Sequence, residues 1–279
     1  MNLISCKDYV ENKKVELKDC VSKLPFKPCL AVVQVDSVAA SNTYVKSKKK
    51  DAMELGISFV HVPIDSENCT QEEFESILNG LNNLNTVNGI IIQLPIPDKY
   101  DLKKLQRCIS SEKDVDGFRV DSCFKPCTPK GIMDWLKFNN YKFSGKNAVV
   151  IGRSNIVGKP LVNMLIEEGA TVTCCNSKTK DLWVYTKRAD LVASAIGSPK
   201  FFDAYYFSYM NDVVIDVGIN RDNFGKLCGD INKDELFEAY GNGVYVTPVP
   251  GGVGLLTRVA LMENVIKAYE IQNKMEVKT

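Results

Sequence analysis

Short apolar runs recur along the chain, separated by longer segments whose apolar positions repeat with helical spacing. In the first half, Pro28-Cys-Leu-Ala-Val-Val-Gln-Val35 is almost continuously apolar, as a strand covered on both faces should be. Ile57-Ser-Phe-Val-His-Val62 alternates, and Gly89-Ile-Ile-Ile-Gln-Leu94 forms a third run that Pro95 and Pro97 end. Between them, 39–55 reads as a helix stopped by Gly56, and 70–84 as a helix opened by Thr70 with Glu73 three residues on. That alternation predicts a parallel sheet with crossover helices. A second set of strands is expected at 147–152, 170–175, 191–196, 213–217 and 244–246, most of them separated by helices. The stretch 114–129, with Gly117, Pro126 and Pro129, is irregular and marks the crossing between domains. A last helix, 255–274, follows a Gly/Pro-rich hinge and is expected to pack back on the first domain. The pattern therefore predicts an α/β chain of two three-layer domains with a cleft between them. The first spans 1–125, completed by the C-terminal helix 255–279, and the second spans 126–254.

The turn after the strand at 147–152 adds chemistry. Asn147-Ala-Val-Val-Ile-Gly152 runs into Arg153-Ser-Asn-Ile-Val-Gly-Lys-Pro160, where Gly152, Ser154 and Gly158 allow a tight turn into a helix. Backbone N–H groups at that helix N-terminus are then available to a phosphate, so the second domain reads as a Rossmann-type dinucleotide-binding unit. The spacing Gly-x-Ser-x-x-x-Gly departs from the usual Gly-x-Gly-x-x-Gly, so the strand–turn–helix context carries the reading. The next strand ends at Asn176-Ser-Lys-Thr179, where an NAD-binding unit places a carboxylate for the ribose 2′-hydroxyl. Ser177 and Lys178 stand there instead, with Arg153 in the first turn. A site with cations and hydroxyls and no carboxylate favours a 2′-phosphate, and hence NADP over NAD. Lys178 reads equally well as a solvated surface lysine, with Arg153 acting alone.

Bulk properties narrow the remaining choices. Among 279 residues, 45% are apolar and 25% charged, with a net charge of +1, so no general attraction to nucleic acid or membrane is encoded. No apolar run approaches the ~20 residues that cross a bilayer, and the first residues lack a signal-peptide pattern, so a cytoplasmic location is expected. The ten cysteines are scattered and read as reduced, buried thiols. Cys123 and Cys127 have no histidine or second pair nearby to make a metal site. The only histidine, His61, sits on one face of a strand. Histidine-assisted nucleophiles and histidine zinc sites therefore lack their second member. Acid–base work falls to Lys, Tyr, Asp or Glu. Tyr44 and Lys48 are four apart on one helix face, Gln93 ends the third strand, and Asp116 lies in Lys113-Asp-Val-Asp-Gly117. All are expected beyond the C-terminal ends of parallel strands, where ligands bind.

These segments together carry a resemblance. Tyr44-Val-Lys-Ser-Lys48, Gln93-Leu-Pro-Ile-Pro97, Lys113-Asp-Val-Asp-Gly-Phe118, Pro126-Cys-Thr-Pro129, the turn Gly152–Pro160 and Thr247-Pro-Val-Pro-Gly-Gly-Val-Gly254 occur in order across nearly the whole chain. The set resembles the bifunctional methylenetetrahydrofolate dehydrogenase/methenyltetrahydrofolate cyclohydrolase family. The resemblance implies NADP-dependent oxidation of 5,10-methylenetetrahydrofolate, then hydrolysis of the methenyl product to 10-formyltetrahydrofolate. It implies Lys48 as the catalytic lysine, with Tyr44 orienting the folate, Gln93 contacting Lys48 and Asp116 hydrogen-bonding the pterin. Leu94, Pro250, Gly251 and Gly254 would line the folate site, and Gly152, Arg153, Ser154, Ser177 and Ile219 would hold the cofactor. It also implies a homodimer.

A lysine carrying protons near neutrality needs its pKa lowered from about 10.4 by desolvation or nearby positive charge. A neutral amide such as Gln93 orients the amine without fixing its charge. Three departures from the family pattern stand out. Asn176 replaces a histidine beside the 2′-phosphate position, which keeps NAD use open. Gly254-Leu-Leu-Thr257 replaces a Gly-Pro-Met-Thr turn, and the connection 119–125 is short.

Overall fold

The computed structural model describes residues 2–3, 5–36, 39–209 and 211–274. The chain begins with β1 (Asn2–Leu3), α1 (Lys7–Ser22), β2 (Cys29–Val35), α2 (Ala39–Leu55), β3 (Ser58–Ile64), α3 (Gln71–Asn82) and β4 (Gly89–Gln93). It continues with α4 (Leu102–Cys108), α5 (Cys127–Phe138), β5 (Asn147–Ile151), α6 (Gly158–Glu167), β6 (Thr171–Cys175) and α7 (Leu182–Thr186). The remainder is β7 (Leu191–Ser194), β8 (Val213–Asp216), β9 (Asn220–Arg221), β10 (Leu227–Cys228), α8 (Lys233–Tyr240), β11 (Tyr245–Val246) and α9 (Val253–Gln272). Two compact units result, one of 12–127 with the chain from Arg258 onward, the other of the segment up to Glu11 with Thr128–Thr257. No helix among the described residues is long and apolar enough to cross a membrane.

The unit holding 12–127 is built on a three-stranded parallel sheet of order β3-β2-β4. Every residue of β2 is buried, which explains its unbroken apolar run. Its register with β4 pairs Gln34 with Gln93, bringing both polar residues to the C-terminal end of the sheet. Val33, Phe74, Leu78, Ile90, Ile92 and Leu105 pack into one core. Gly56 follows α2 with φ +81°, the backbone state that glycine adopts most readily. At the start of α3, Thr70 Oγ1 accepts from the Glu73 N–H at 3.2 Å and the Glu73 carboxylate accepts from the Thr70 N–H at 2.8 Å. A Cβ on Gly89 would lie 2.8 Å from the Val115 methyls, so the bare backbone there lets the 113–117 segment pack against β4.

The other unit carries a six-stranded sheet of order β1-β11-β8-β7-β5-β6, parallel throughout. The direction of winding reverses at β5, with β6 on one side and β7 and β8 on the other, which is the Rossmann-type arrangement. Val149, Ile151, Val192, Phe202, Phe207 and Val214 form its core. The largest departure from the expected 1–125 domain is at its start. Asn2 and Leu3 pair with Tyr245 and Val246, so the opening residues extend this sheet and leave the first unit. A small antiparallel pair, β9 with β10, lies outside the main sheet.

The capping box of α3 is distant from every candidate site residue in sequence and supplies a clean stability test. Thr70→Ala should lower stability by about 1 kcal/mol, read as an earlier urea midpoint with an unchanged slope. An unshifted midpoint would show that the box contributes nothing to the folded state.

Candidate active site

Helix α2 places Tyr44 and Lys48 one turn apart, and β4 ends at Gln93. The Gln93 side chain is buried, and its Nε2 donates to the Leu94 carbonyl at 2.7 Å. That bond orients the amide, so Oε1 faces helix α2 and accepts from Lys48 Nζ at 2.9 Å. Asp116 approaches from the 113–117 segment, which turns at Gly117 with φ +72°. A Cβ on Gly117 would come within 2.7 Å of the Lys125 backbone, so the turn needs glycine. Cys127 closes the far side. Its backbone N–H donates to the Asp116 carbonyl at 3.3 Å, and its thiol lies 3.1 Å from the Val115 carbonyl and hydrogen-bonds the Asp116 carboxylate. Asn264, buried on the later part of α9, donates to the Val115 carbonyl at 2.9 Å and to Cys127 Sγ at 3.5 Å.

The electrostatics follow from this enclosure. Burial pushes the Lys48 amine below its ordinary pKa, while the Asp116 carboxylate and the Cys127 thiol hold it up in part. Asp116 is pushed up to about 6, first by burial and then by the Asp114 carboxylate, against the pull of Lys48 and the Cys127 hydrogen bond. Asp114 is itself raised by burial although it accepts the Arg119 N–H at 2.9 Å. An amine moved down and a carboxyl moved up approach one another from opposite sides. Groups shifted toward one another in this way are candidates for proton transfer.

The nucleotide turn is equally determined by backbone crowding. Gly152 sits at φ +116° and donates its N–H to the Cys175 carbonyl at 2.9 Å. A Cβ on Gly158 would stand 2.1 Å from the Gly152 carbonyl oxygen, and one on Gly152 would stand 2.5 Å from the Ala195 oxygen. Ser154 Oγ accepts the N–H groups of Val157 and Gly158 at 3.2 and 3.3 Å, taking the capping role that Val157 cannot fill. Arg153 and Ser154 are exposed at the mouth of the turn. At the end of β6, Asn176 Oδ1 accepts the Lys178 N–H at 3.0 Å, and this turn leaves Ser177 and Lys178 exposed. The bare glycine backbone and the exposed cationic and hydroxyl groups suit a phosphorylated dinucleotide.

Residues 4–116 match the tetrahydrofolate dehydrogenase/cyclohydrolase catalytic domain, and residues 126–273 match the NAD(P)-binding domain of the same family. The chain belongs to the tetrahydrofolate dehydrogenase/cyclohydrolase family. It is 44% identical to the bifunctional protein FolD of Agathobacter rectalis over 96% of this chain and 99% of that protein. It is similar to the crystal structure of bifunctional FolD from Campylobacter jejuni, with TM-score 0.92, 40% identity and coverage of 99% and 100% of the two chains. The Trypanosoma brucei dehydrogenase–cyclohydrolase, solved with NADP and an inhibitor, superposes with TM-score 0.89 at 29% identity, covering 98% of each chain.

Within this family member, the fold gathers Tyr44, Lys48, Gln93, Leu94 and Asp116 in the catalytic-domain unit. Gly152, Arg153, Ser154, Ser177 and Ile219 belong to the nucleotide-binding unit. Pro250, Gly251 and Gly254 belong to that same unit, where a Cβ on Gly254 would lie 3.8 Å from Ile219 Cδ1. Sequence reasoning missed Asp114, Cys127 and Asn264 as neighbours of Asp116. A buried asparagine amid the apolar positions of the last helix was the available signal for Asn264.

Since Asp116 raises the Lys48 pKa, Asp116→Asn should lower it further. Titration of the Lys48 amine by NMR in wild type and variant checks the sign. An upward shift would contradict the electrostatic assignment.

Proposed function

We propose that this chain is a bifunctional enzyme of folate one-carbon metabolism. It oxidises 5,10-methylenetetrahydrofolate with NADP and hydrolyses the resulting 5,10-methenyl cation to 10-formyltetrahydrofolate. The observation that carries this reading is a lysine of lowered pKa held at 2.9 Å by a neutral glutamine, with Asp116 beside it. The solved Campylobacter jejuni and Trypanosoma brucei relatives, each described as a methylenetetrahydrofolate dehydrogenase and cyclohydrolase, support both activities.

In ring opening, water adds to the methenyl carbon, the bond from that carbon to N5 breaks, and one proton is released. Lys48 in its neutral form accepts a proton from the adding water and returns one to the departing nitrogen. A neutral amine also avoids placing a second positive charge beside a cationic substrate. Gln93 keeps that amine aimed, and Asp116, protonated or ionised near pH 6, hydrogen-bonds the pterin. Tyr44, on the same helix face as Lys48, orients the folate, and Leu94 packs beside it. Bound NADP supplies the hydride acceptor. The protein's part in that step is alignment, with Gly152, Ser154 and Ile219 positioning the dinucleotide and Arg153 and Ser177 meeting its 2′-phosphate. Pro250, Gly251 and Gly254 complete the folate side of the same reading.

A cytoplasmic homodimer belongs to this reading too. The dimer is supported by aromatic surface on the nucleotide-binding unit, where Phe201, Tyr205 and Tyr209 are 53%, 54% and 68% exposed.

The decisive assay follows methenyl absorbance with purified protein, NADP and methylenetetrahydrofolate, then with the methenyl substrate alone. Lys48→Met should slow ring opening at least ~100-fold while NADP still binds. Unchanged hydrolysis in that variant would defeat the mechanism. Arg153→Ala should raise KM for NADP about tenfold or more and leave KM for NAD nearly constant, given the strength of a charged hydrogen bond. Equal effects on the two cofactors would remove Arg153 from the 2′-phosphate site.

A further inference from the structure

Two of the buried carboxylates outside the residues assigned so far lie together in the nucleotide-binding unit. Asp216 ends β8 and Asp230 follows β10, and both are buried. They are set reciprocally. A Cβ on Gly218 would lie 2.1 Å from the Asp230 carboxylate, and one on Gly229 would lie 1.8 Å from the Asp216 carboxylate. Each acid therefore occupies the space left by a glycine next to the other. The pattern Asp216-Val-Gly218 and Gly229-Asp230 is the sequence trace of this exchange.

Their hydrogen bonds show what the pair holds. Asp216 Oδ1 accepts the N–H groups of Gly218 at 3.1 Å and Asp230 at 2.9 Å, and its Oδ2 accepts that of Ile231 at 3.1 Å. Asp216 thus seats the backbone of Asp230. The Asp230 carboxylate then reaches two other loops. Its Oδ2 accepts from Ser194 Oγ at 2.8 Å and the Ile196 N–H at 2.9 Å, and its Oδ1 accepts from the Ser198 N–H and Asn220 Nδ2, both at 2.9 Å. Ile196 and Ile219 remain exposed between these anchored residues. Two separate turns, one after β7 and one after β8, are tied to a single side chain.

The sheet order says what passes over those turns. The pyrophosphate of a dinucleotide sits at the turn after β5, and the adenosine ribose sits at the end of the next strand, β6. β6 lies on one side of β5, so the other half of the cofactor runs in the opposite direction, over β7 and β8. We propose that Asp230, seated by Asp216, is a positioning residue for the nicotinamide half of the cofactor, fixing the 195–198 turn and the Gly218-Ile219-Asn220 turn that flank it. The inference rests on the cofactor assignment above and adds a residue to it that does not touch the cofactor. Asp216 is pushed up to about 7, by burial first, so the second carboxyl can be neutral where two adjacent charges would repel.

The test separates the two halves of the ligand. NADP and 2′,5′-ADP, which lacks the nicotinamide half, are titrated calorimetrically into wild type and Asp230→Asn. The amide sets an N–H2 against groups that already donate, so the clamp opens with little change in volume. NADP affinity should fall about tenfold or more while 2′,5′-ADP affinity changes less than twofold. A parallel loss for both ligands, or no loss for either, overturns the proposal. Should Asp230→Asn lack a cooperative melting transition, Ser194→Ala and Asn220→Ala each delete one bond to the same carboxylate. Each should weaken NADP selectively by about threefold, and an equal or absent effect on the two ligands is again fatal. Failure of wild type to bind either ligand would instead sink the cofactor assignment itself.

Discussion

A half-buried amine, with a neutral amide as its hydrogen-bond partner, is the constraint on which the catalytic unit turns. Desolvating an ammonium costs several kcal/mol even after relaxation, and an adjacent carboxylate usually offsets that cost by fixing the charge. Lys48 instead meets Gln93 Oε1 at 2.9 Å, so its direction is set while its protonation state is left to the surroundings. A carboxylate in place of the amide would hold the proton on the amine and rule out the carrier role proposed above. Asp116 acts from one step away and is itself half released from ionisation by burial and by Asp114. Burial lowers the amine's pKa and raises the acid's, and each charge pulls the other back toward its ionised form.

The scaffold exists to keep that geometry at one height. Because β2 is buried along its whole length and hydrogen-bonded on both edges, its register with β4 cannot slip without exposing an apolar face. That register brings Gln93 level with Gln34 at the end of the sheet. Asp116 depends on contacts of another kind. Lys113 Nζ donates to the Asn82 and Leu84 carbonyls, both at 2.8 Å, and Asn264 grips Val115 from α9. The acid is thus held through the backbone on either side of it, while its carboxylate meets the Cys127 thiol.

Features set by neighbours in sequence were legible in advance. Thr70 with Glu73, Gly56 after α2 and the apolar strand runs each state a local preference, and the structure places the elements within a few residues of those signals. The tight turn at Gly152 and Gly158 was legible for the same reason. What escaped depends on distant partners. The segment Asn2–Leu3 is too short to show a strand period, and only its pairing with β11 makes it one. Helix α1 is dominated by charged residues, and its apolar positions, Tyr9, Val10, Leu17 and Val21, are too sparse to dominate the pattern. Asp114, Cys127 and Asn264 converge from three separate segments, and no spacing rule in a single sequence announces such a meeting.

The buried acids of the two units show how one functional group serves opposite ends. The Asp230 carboxylate accepts four hydrogen bonds from Ser194, Ile196, Ser198 and Asn220, and satisfied oxygens of this kind have nothing left to exchange. Rigidity is the product, and it suits a step that needs alignment more than proton movement. Asp116 is half-buried with a thiol and an amine as its named neighbours, and desolvation outweighs their stabilisation of its charge. A carboxyl left in that condition changes protonation state near neutrality, which suits a step that moves protons. The count and kind of donors around each carboxyl, more than its depth, separates the fixed acid Asp230 from the role proposed for Asp116.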